Sequence, residues 1–312
     1  MPLSSVSPDA LIECVPNFSE GKRPDVVESI VAAMQVDGAY LLDYSLDADH
    51  NRSVVTLAGS PAAVVEAAIR GAGRAAALID LTSQQGVHPR IGAADVIPFV
   101  PIRGISLEQC VLLARQAGNE IWKRHQVPVY FYEAAAARPD RAMLEEVRRG
   151  QFEGLRDVVL REAARRPDVG GPELHSTAGA SAVGARRFLI AFNLYLDTSD
   201  VAIARAIARD IRQSGGGLAG VKAMGVSAHG QAQVSMNLTD FTRTPVGRVF
   251  TAVKEKARRH GAAPASAELI GLIPEAAVEQ NSEWLRLISD FDPEQKVLER
   301  RLERPLPWPK VG

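Results

Sequence analysis

The order in which periodic segments follow one another constrains this chain most. Leu11 to Val15 is a short apolar run closed by Pro16-Asn17 and reads as a strand. From Pro24, Val26, Val27, Ile30, Val31 and Met34 recur at helical spacing up to Gly38. Ala39 to Leu42 and Ser53 to Leu57 read as strands joined by the polar stretch Ser45 to Arg52. Pro61 opens a helix to about Ile79, and Val96 to Val100 closes the series as a strand. The succession is β-α-β-β-α-β.

The second half repeats it. Phe188 to Leu196 reads as a strand and Ser199 to Gln213 as a helix stopped by Gly215-Gly216-Gly217. Val221 to Ser227 and Ala232 to Leu238 form a hairpin around His229-Gly230. Val246 to His260 is amphipathic, and Glu268 to Ile273 is a last strand. Two such units predict an α/β (α+β) protein of two ferredoxin-like subdomains, each with helices on one sheet face. The expected division is 1–180 and 181–312, with an exposed tail from Glu294. The insert between the units carries a helix over Ser106 to His125, a strand over Val127 to Tyr132 and a short helix over Arg141 to Gly150. Pro167 to Gly184, rich in Gly, Ala, Ser and Thr, reads as a long irregular segment, which inside a compact protein is usually either functional or disordered.

Composition removes several classes of partner. Lys and Arg (36) nearly balance Asp and Glu (37), which argues against a nucleic-acid backbone. No apolar run approaches the roughly 18 residues that cross a bilayer, and no signal peptide is visible. Cys14 and Cys110 lie far apart and read as reduced, buried thiols. A cytoplasmic protein without nucleic-acid or membrane partners fits, with homodimerisation left open.

Among six histidines, His125 and His260 sit near helix C-termini and His229 in a tight turn, so all three read as structural. His50, His88 and His175 lie in polar loops, where function concentrates. His88 stands in Gln85-Gly86-Val87-His88-Pro89-Arg90-Ile91-Gly92-Ala93-Ala94-Asp95. An imidazole titrates near neutrality, and Arg90 beside it suits carboxylates. Taken alone, the residues fit a catalytic histidine and a plain turn histidine alike. Asp47-Ala48-Asp49-His50-Asn51-Arg52 offers metal-like ligands without a second pair at a recognised spacing, so no metal is expected. The triple glycine follows a helix and lacks the P-loop pattern, which makes it a connection.

Several longer blocks resemble the glutamate formimidoyltransferase family. They are Leu11-Ile12-Glu13-Cys14-Val15-Pro16-Asn17-Phe18-Ser19-Glu20-Gly21, Asp49-His50-Asn51-Arg52-Ser53-Val54, His88-Pro89-Arg90-Ile91-Gly92-Ala93 and Pro98-Phe99-Val100-Pro101-Ile102-Arg103-Gly104. Gly184-Ala185-Arg186-Arg187-Phe188-Leu189-Ile190-Ala191-Phe192-Asn193 and Ala232-Gln233-Val234-Ser235-Met236-Asn237-Leu238 extend the resemblance into the second half. It implies transfer of a formimino group from N-formimino-L-glutamate to N5 of the co-substrate tetrahydrofolate, a step of histidine degradation and one-carbon metabolism. It also implies two subdomains whose sheets face each other around a folate passage.

The family's catalytic histidine falls on His88. Its folate-binding loop falls on Gly170, Gly171, Pro172, Glu173, Leu174, His175, Ser176, Thr177, Ala178 and Gly179. Leu174, His175 and Ala178 depart from the animal pattern. Asp49, Asn51, Arg52, Arg90, Arg103 and Arg186 become substrate-binding candidates, the arginines because both substrates carry glutamate carboxylates. The competing readings are a folate-linked deaminase or hydrolase of formiminoglutamate and a non-catalytic folate-binding protein.

Overall fold

The computed structural model describes residues 7–86, 89–279, 282–289 and 291–310. The chain divides into two compact units, one running to Arg186 and regaining the segment from Pro305, the other Arg187–Arg304. The division thus falls six residues beyond the expected 180.

In the first unit, β1 (Leu11–Cys14) and β2 (Asn17–Phe18) follow one path, broken at Val15-Pro16. Proline has no N–H to give a ladder, so pairing stops there and resumes after it. Then come α1 (Pro24–Ala33), β3 (Ala39–Asp47), β4 (Arg52–Gly59), α2 (Pro61–Leu78) and β5 (Ala94–Arg103). Both pieces of the broken strand run antiparallel between β4 and β5, and β3 pairs with β4 on the far side. The insert widens this sheet. After α3 (Leu107–His125), β6 (Val129–Glu133), α4 (Leu144–Val147) and α5 (Gln151–Arg161) comes β7 (Ser181–Ala185). β7 lies parallel to both β5 and β6 and joins them into one seven-stranded sheet.

Local chemistry explains the helix limits. Ser106 caps α3 through a capping box: its hydroxyl accepts from Gln109 N at 3.2 Å, and Gln109 Oε1 accepts from Ser106 N at 2.9 Å. Lys123, Arg124 and His125 crowd the last turn of α3, where cations suit the dipole. The apolar face of α2 is mostly alanine, which lets α1 and α3 pack close. Ile12, Cys14, Val55, Leu57, Ile97 and Phe99 form the sheet side of that core. Both thiols are free and buried; burial drives Cys14 well above its usual pKa and pushes Cys110 up to about 12.

His125 makes this packing sensitive to acid. Its ring lies against α2 beside Gly73, and its Nε2 is enclosed with no hydrogen-bond partner among the described residues. A Cβ at Gly73 would lie 2.2 Å from the ring, so only glycine admits it. Burial, then the like charge of Arg124, lower the pKa of His125, while Glu66 opposes them. The folded state therefore holds the neutral ring. Its contribution is complete above the unfolded pKa near 6.5 and is lost as pH falls through the lower folded value. Thermal melts from pH 8 to pH 5 are expected to show a fall in Tm that His125→Gln flattens. Parallel curves for the two proteins would exclude this source.

The second unit contains β8 (Ile190–Leu196), α6 (Val201–Ile211), β9 (Val221–Ala228), β10 (Gln231–Leu238), α7 (Val246–Arg259) and β11 (Pro264–Ile270). Its four-stranded antiparallel sheet has the order β11-β8-β10-β9. Numbered within each unit, the core strands of both follow the same order, fourth-first-third-second. The inferred β-α-β-β-α-β succession is thus present twice. Asp200 caps α6 by accepting from Ala202 N at 2.9 Å. Phe192 meets Trp284 edge to face, centroids 5.5 Å apart, a geometry worth about 0.5–1.5 kcal/mol beyond burial.

Two expectations need correction. Pro167 to Gly184 is not irregular throughout, because β7 begins at Ser181 and is buried along its whole length. Nor is the C-terminal stretch an exposed tail. Short helices occupy Pro293–Lys296 and Leu298–Glu303, after which Leu306 N bonds Leu41 O at 2.7 Å. Leu306 and Trp308 pack on the first unit's core, which removes apolar surface from water.

Candidate functional site

The β3–β4 turn, the segment around position 88 and the Gly-rich loop come from three distant parts of the first unit's sequence. The structure ties all three together. His88 itself, with Val87, lies outside the described residues.

Asn51 adopts φ +50° in the β3–β4 turn, a conformation asparagine tolerates better than most residues. Its Oδ1 accepts from Gly21 N at 3.0 Å and its Nδ2 donates to Gln85 O at 2.8 Å. Gln84 Nε2 donates to Ser19 O at 2.9 Å and to Asn51 O at 3.1 Å. Asp47 accepts from His50 N at 2.9 Å and holds His50 Nδ1 at 2.6 Å. At Gly86 the backbone passes so close to this turn that a Cβ would meet His50 O at 2.6 Å. Asn51 thus spends both ends of its amide on the scaffold. Asp49 is exposed at the turn's tip.

Arg90 is a clamp. It is 7% exposed, donates from Nε to Gln84 Oε1 at 2.7 Å and from Nη2 to Gln84 O at 2.8 Å, and pairs with Glu153 at 2.9 Å. Partial burial pushes the Glu153 carboxyl up, but hydrogen bonding and charge from Arg90 outweigh it and hold the group below its usual range. The guanidinium is therefore already engaged with protein on several sides.

The Gly-rich loop leans on the strip that follows position 88. Leu81 N bonds Thr177 O, Ala93 N bonds Ala178 O, and Ala180 N bonds Ile91 O, each at 2.9 Å. A Cβ at Gly92 would lie 2.1 Å from Ala180 O, so this approach requires glycine. Within the loop, His175 and Gly179 exchange backbone bonds at 2.9 and 3.0 Å, and His175 Nδ1 accepts from Ala178 N at 3.0 Å. Leu174 and Ala178 are buried in the core. Gly170, Gly171, Pro172, Glu173 and Ser176 are exposed, and His175 and Thr177 are half-buried.

A small crevice opens among Ser19, His50, Asn51, Arg52, Arg90 and Asp95. Asp95, 2% exposed, accepts from Ile91 N at 2.8 Å and pairs with Arg148. Arg52 stands near both. Burial and then the like charge of Arg148 lower its pKa to about 10, with Asp95 and Asp47 opposing. A guanidinium destabilised in this way gains from a bound anion. Arg103 ends β5 exposed. Arg186 follows β7, bonds Phe99 O through its N at 3.1 Å, and favours ionisation of Cys14 and Tyr132 by its charge.

The sequence reading passed over Asp95, Arg148, Gln84 and Glu153. Asp95 lay within the block around His88 and could have been weighed as a buried acid. Arg148, 53 residues away in sequence, carried no signal. No group of three or more His, Cys, Asp or Glu placed to hold a metal occurs among the described residues. No helix among them is long and apolar enough to cross a membrane.

Two family models match the chain: the formiminotransferase domain's N-terminal subdomain over residues 11–186 and the formiminotransferase domain over 191–297. A glutamate formimidoyltransferase from Streptococcus pyogenes is 44% identical over 94% of this chain and 98% of its own length. One from Thermoplasma acidophilum is 42% identical over 95% of this chain and 98% of its own. The formimidoyltransferase-cyclodeaminase of Mus musculus is 40% identical over 85% of this chain and 50% of its own length.

Proposed function

Because this chain belongs to the formiminotransferase family, we infer that it is a transferase moving a formimino group from N-formimino-L-glutamate to N5 of tetrahydrofolate, releasing glutamate. The observation that carries this reading is the match along nearly the full length of two stand-alone glutamate formimidoyltransferases. The geometry supports it, since the flanks of position 88 and the loop 174–180 share backbone hydrogen bonds.

The chemistry asks for one proton relay and two aligned substrates. N5 attacks the formimino carbon to give a tetrahedral centre. N5 then loses its proton, the glutamate nitrogen gains one, and the bond to glutamate breaks. A histidine at position 88 serves both transfers when it stands between the two nitrogens. Holding the substrates in register lowers the barrier further. Arg52 is the best-suited carboxylate anchor, because a bound anion would relieve its repulsion with Arg148. Arg90 acts by holding the strip on which His88 is carried. The place of the reaction is histidine degradation and one-carbon metabolism, in the cytoplasm.

Incubation with formiminoglutamate and tetrahydrofolate is expected to yield 5-formiminotetrahydrofolate and glutamate in equal amounts. Ammonia release without folate would instead mark a hydrolase, and folate binding without turnover a carrier. The relay uses only protein groups, so turnover is expected to survive exhaustive chelation. Loss with EDTA and recovery with one divalent ion would reopen the metal reading of His50.

A further inference from the structure

The second unit carries an enclosed polar surface that the transfer as written does not use. Ile190, Phe192, Leu194 and Leu196 of β8 point into the core shared with α6 and α7 and are fully buried. Strand alternation turns Asn193 and Tyr195 to the opposite face. Register sets Glu268, Asn193 and Ser235 in one cross-strand row, and Ser266, Tyr195 and Gln233 in the next. A polar outer face needs no ligand when water covers it. Here Asn193, Tyr195 and Gln233 are only 9%, 8% and 2% exposed.

Two hydrogen bonds orient the carboxylate at the centre of this surface. Asn193 Nδ2 and the Tyr195 hydroxyl both donate to Glu268 Oε2, at 3.2 and 3.1 Å. Oε1 has no protein partner, and no cation pairs with Glu268, among the described residues. The side-chain amide of Gln233, almost wholly enclosed, likewise makes no hydrogen bond among them. Glu268 is itself only half-buried, but an amide as enclosed as that of Gln233 is seldom left unmatched unless water or a ligand completes it.

We propose that Glu268, set by Asn193 and Tyr195 with Gln233 beside it, binds a planar N–C–N edge bearing two N–H donors. A carboxylate matches that edge with two parallel charge-assisted bonds, and the neighbouring amide meets a carbonyl or N–H next to it. The inference rests on the transferase reading for its ligands, which offer this chemistry twice. One source is the amidinium of the formimino donor, the other the 2-aminopyrimidinone edge of the pterin.

Glu268→Gln keeps the shape, removes the charge and sets an N–H₂ against an N–H. Wild type and variant would be titrated calorimetrically with formiminoglutamate and, separately, with pterin, and both KM values measured. Affinity for at least one ligand is expected to fall about ten- to hundredfold, with KM following. A fall confined to pterin assigns the site to the acceptor, and one confined to formiminoglutamate to the donor. Unchanged affinities and KM values would overturn the proposal, whether or not kcat changes. So would a wild-type protein that binds neither probe. If Glu268→Gln loses its melting transition, Gln233→Leu is read against the same two outcomes. A wild type that binds these probes but transfers nothing would refute the transferase reading and leave this one standing.

Discussion

His88→Ala is expected to lower turnover about 10²- to 10⁴-fold, the range that general acid–base groups supply. Folate affinity should change only a few-fold, because the anchoring groups and the loop 174–180 remain. The limb of the pH–rate profile in the neutral range should vanish with the imidazole. The flanks give reason to expect a local effect. Gln85 O is held by Asn51, Arg90 is clamped by Gln84 and Glu153, and Ile91 and Ala93 bond the Gly-rich loop. None of those bonds uses the side chain at 88. The variant should therefore melt with the wild type. Near-wild-type turnover would remove His88 from the chemistry. Lost folate binding at unchanged kcat would make it a positioning residue, with His50 and His175 next to test.

The elements that could be read from sequence are those whose periodicity comes from one-sided burial. Val26, Val27, Ile30 and Val31 of α1 are all buried, and so are Ala204, Ile207, Ala208 and Ile211 of α6. β7 escaped because Ser181-Ala-Val-Gly-Ala185 is buried along its length and therefore has no alternation. Its residues are small and sit inside a run of glycine, alanine and serine, so composition also pointed to loop. The end of the chain was misread for a related reason. Leu306 and Trp308 alternate with prolines, which suits one extended segment laid on a surface but shows no periodicity.

For the candidate site, residue type was legible but not what each residue spends itself on. Arg90 was chosen as a carboxylate anchor for its charge, yet that charge is engaged by Glu153 and its remaining donors by Gln84. Asn51 was chosen for its place in a motif, and both ends of its amide hold backbone. Apart from Gln84, six residues from Arg90, these partners lie 30 to 63 residues away, which local spacing cannot express. Arg52 was chosen on the same grounds as Arg90, and its setting beside Arg148 suits the assigned role better. Charge type therefore picked out residues of one neighbourhood, and the hydrogen-bond partners of Arg90 and Asn51 tie those two to the scaffold.

Asp95→Ala is expected to be the most destabilising single change at this site. The carboxylate is nearly fully buried, takes the Ile91 N–H on one oxygen and Arg148 on the other, and helps keep Arg52 protonated. Alanine leaves that N–H unmatched and sets two guanidinium groups against each other with less to neutralise them. Breaking a buried pair from one side costs about 3–5 kcal/mol. In a unit of this size that corresponds to a Tm lower by roughly 10 °C. Asp95→Asn separates the two parts of the loss. Its amide oxygen still accepts from Ile91, so the remaining deficit reports the charge, and it should fall between the wild type and alanine. Calorimetric melts of the three proteins decide the matter. An alanine variant within about 2 °C of wild type would show that Asp95 does not hold the site together. A stable asparagine variant with altered KM would move Asp95 from scaffold to substrate contact.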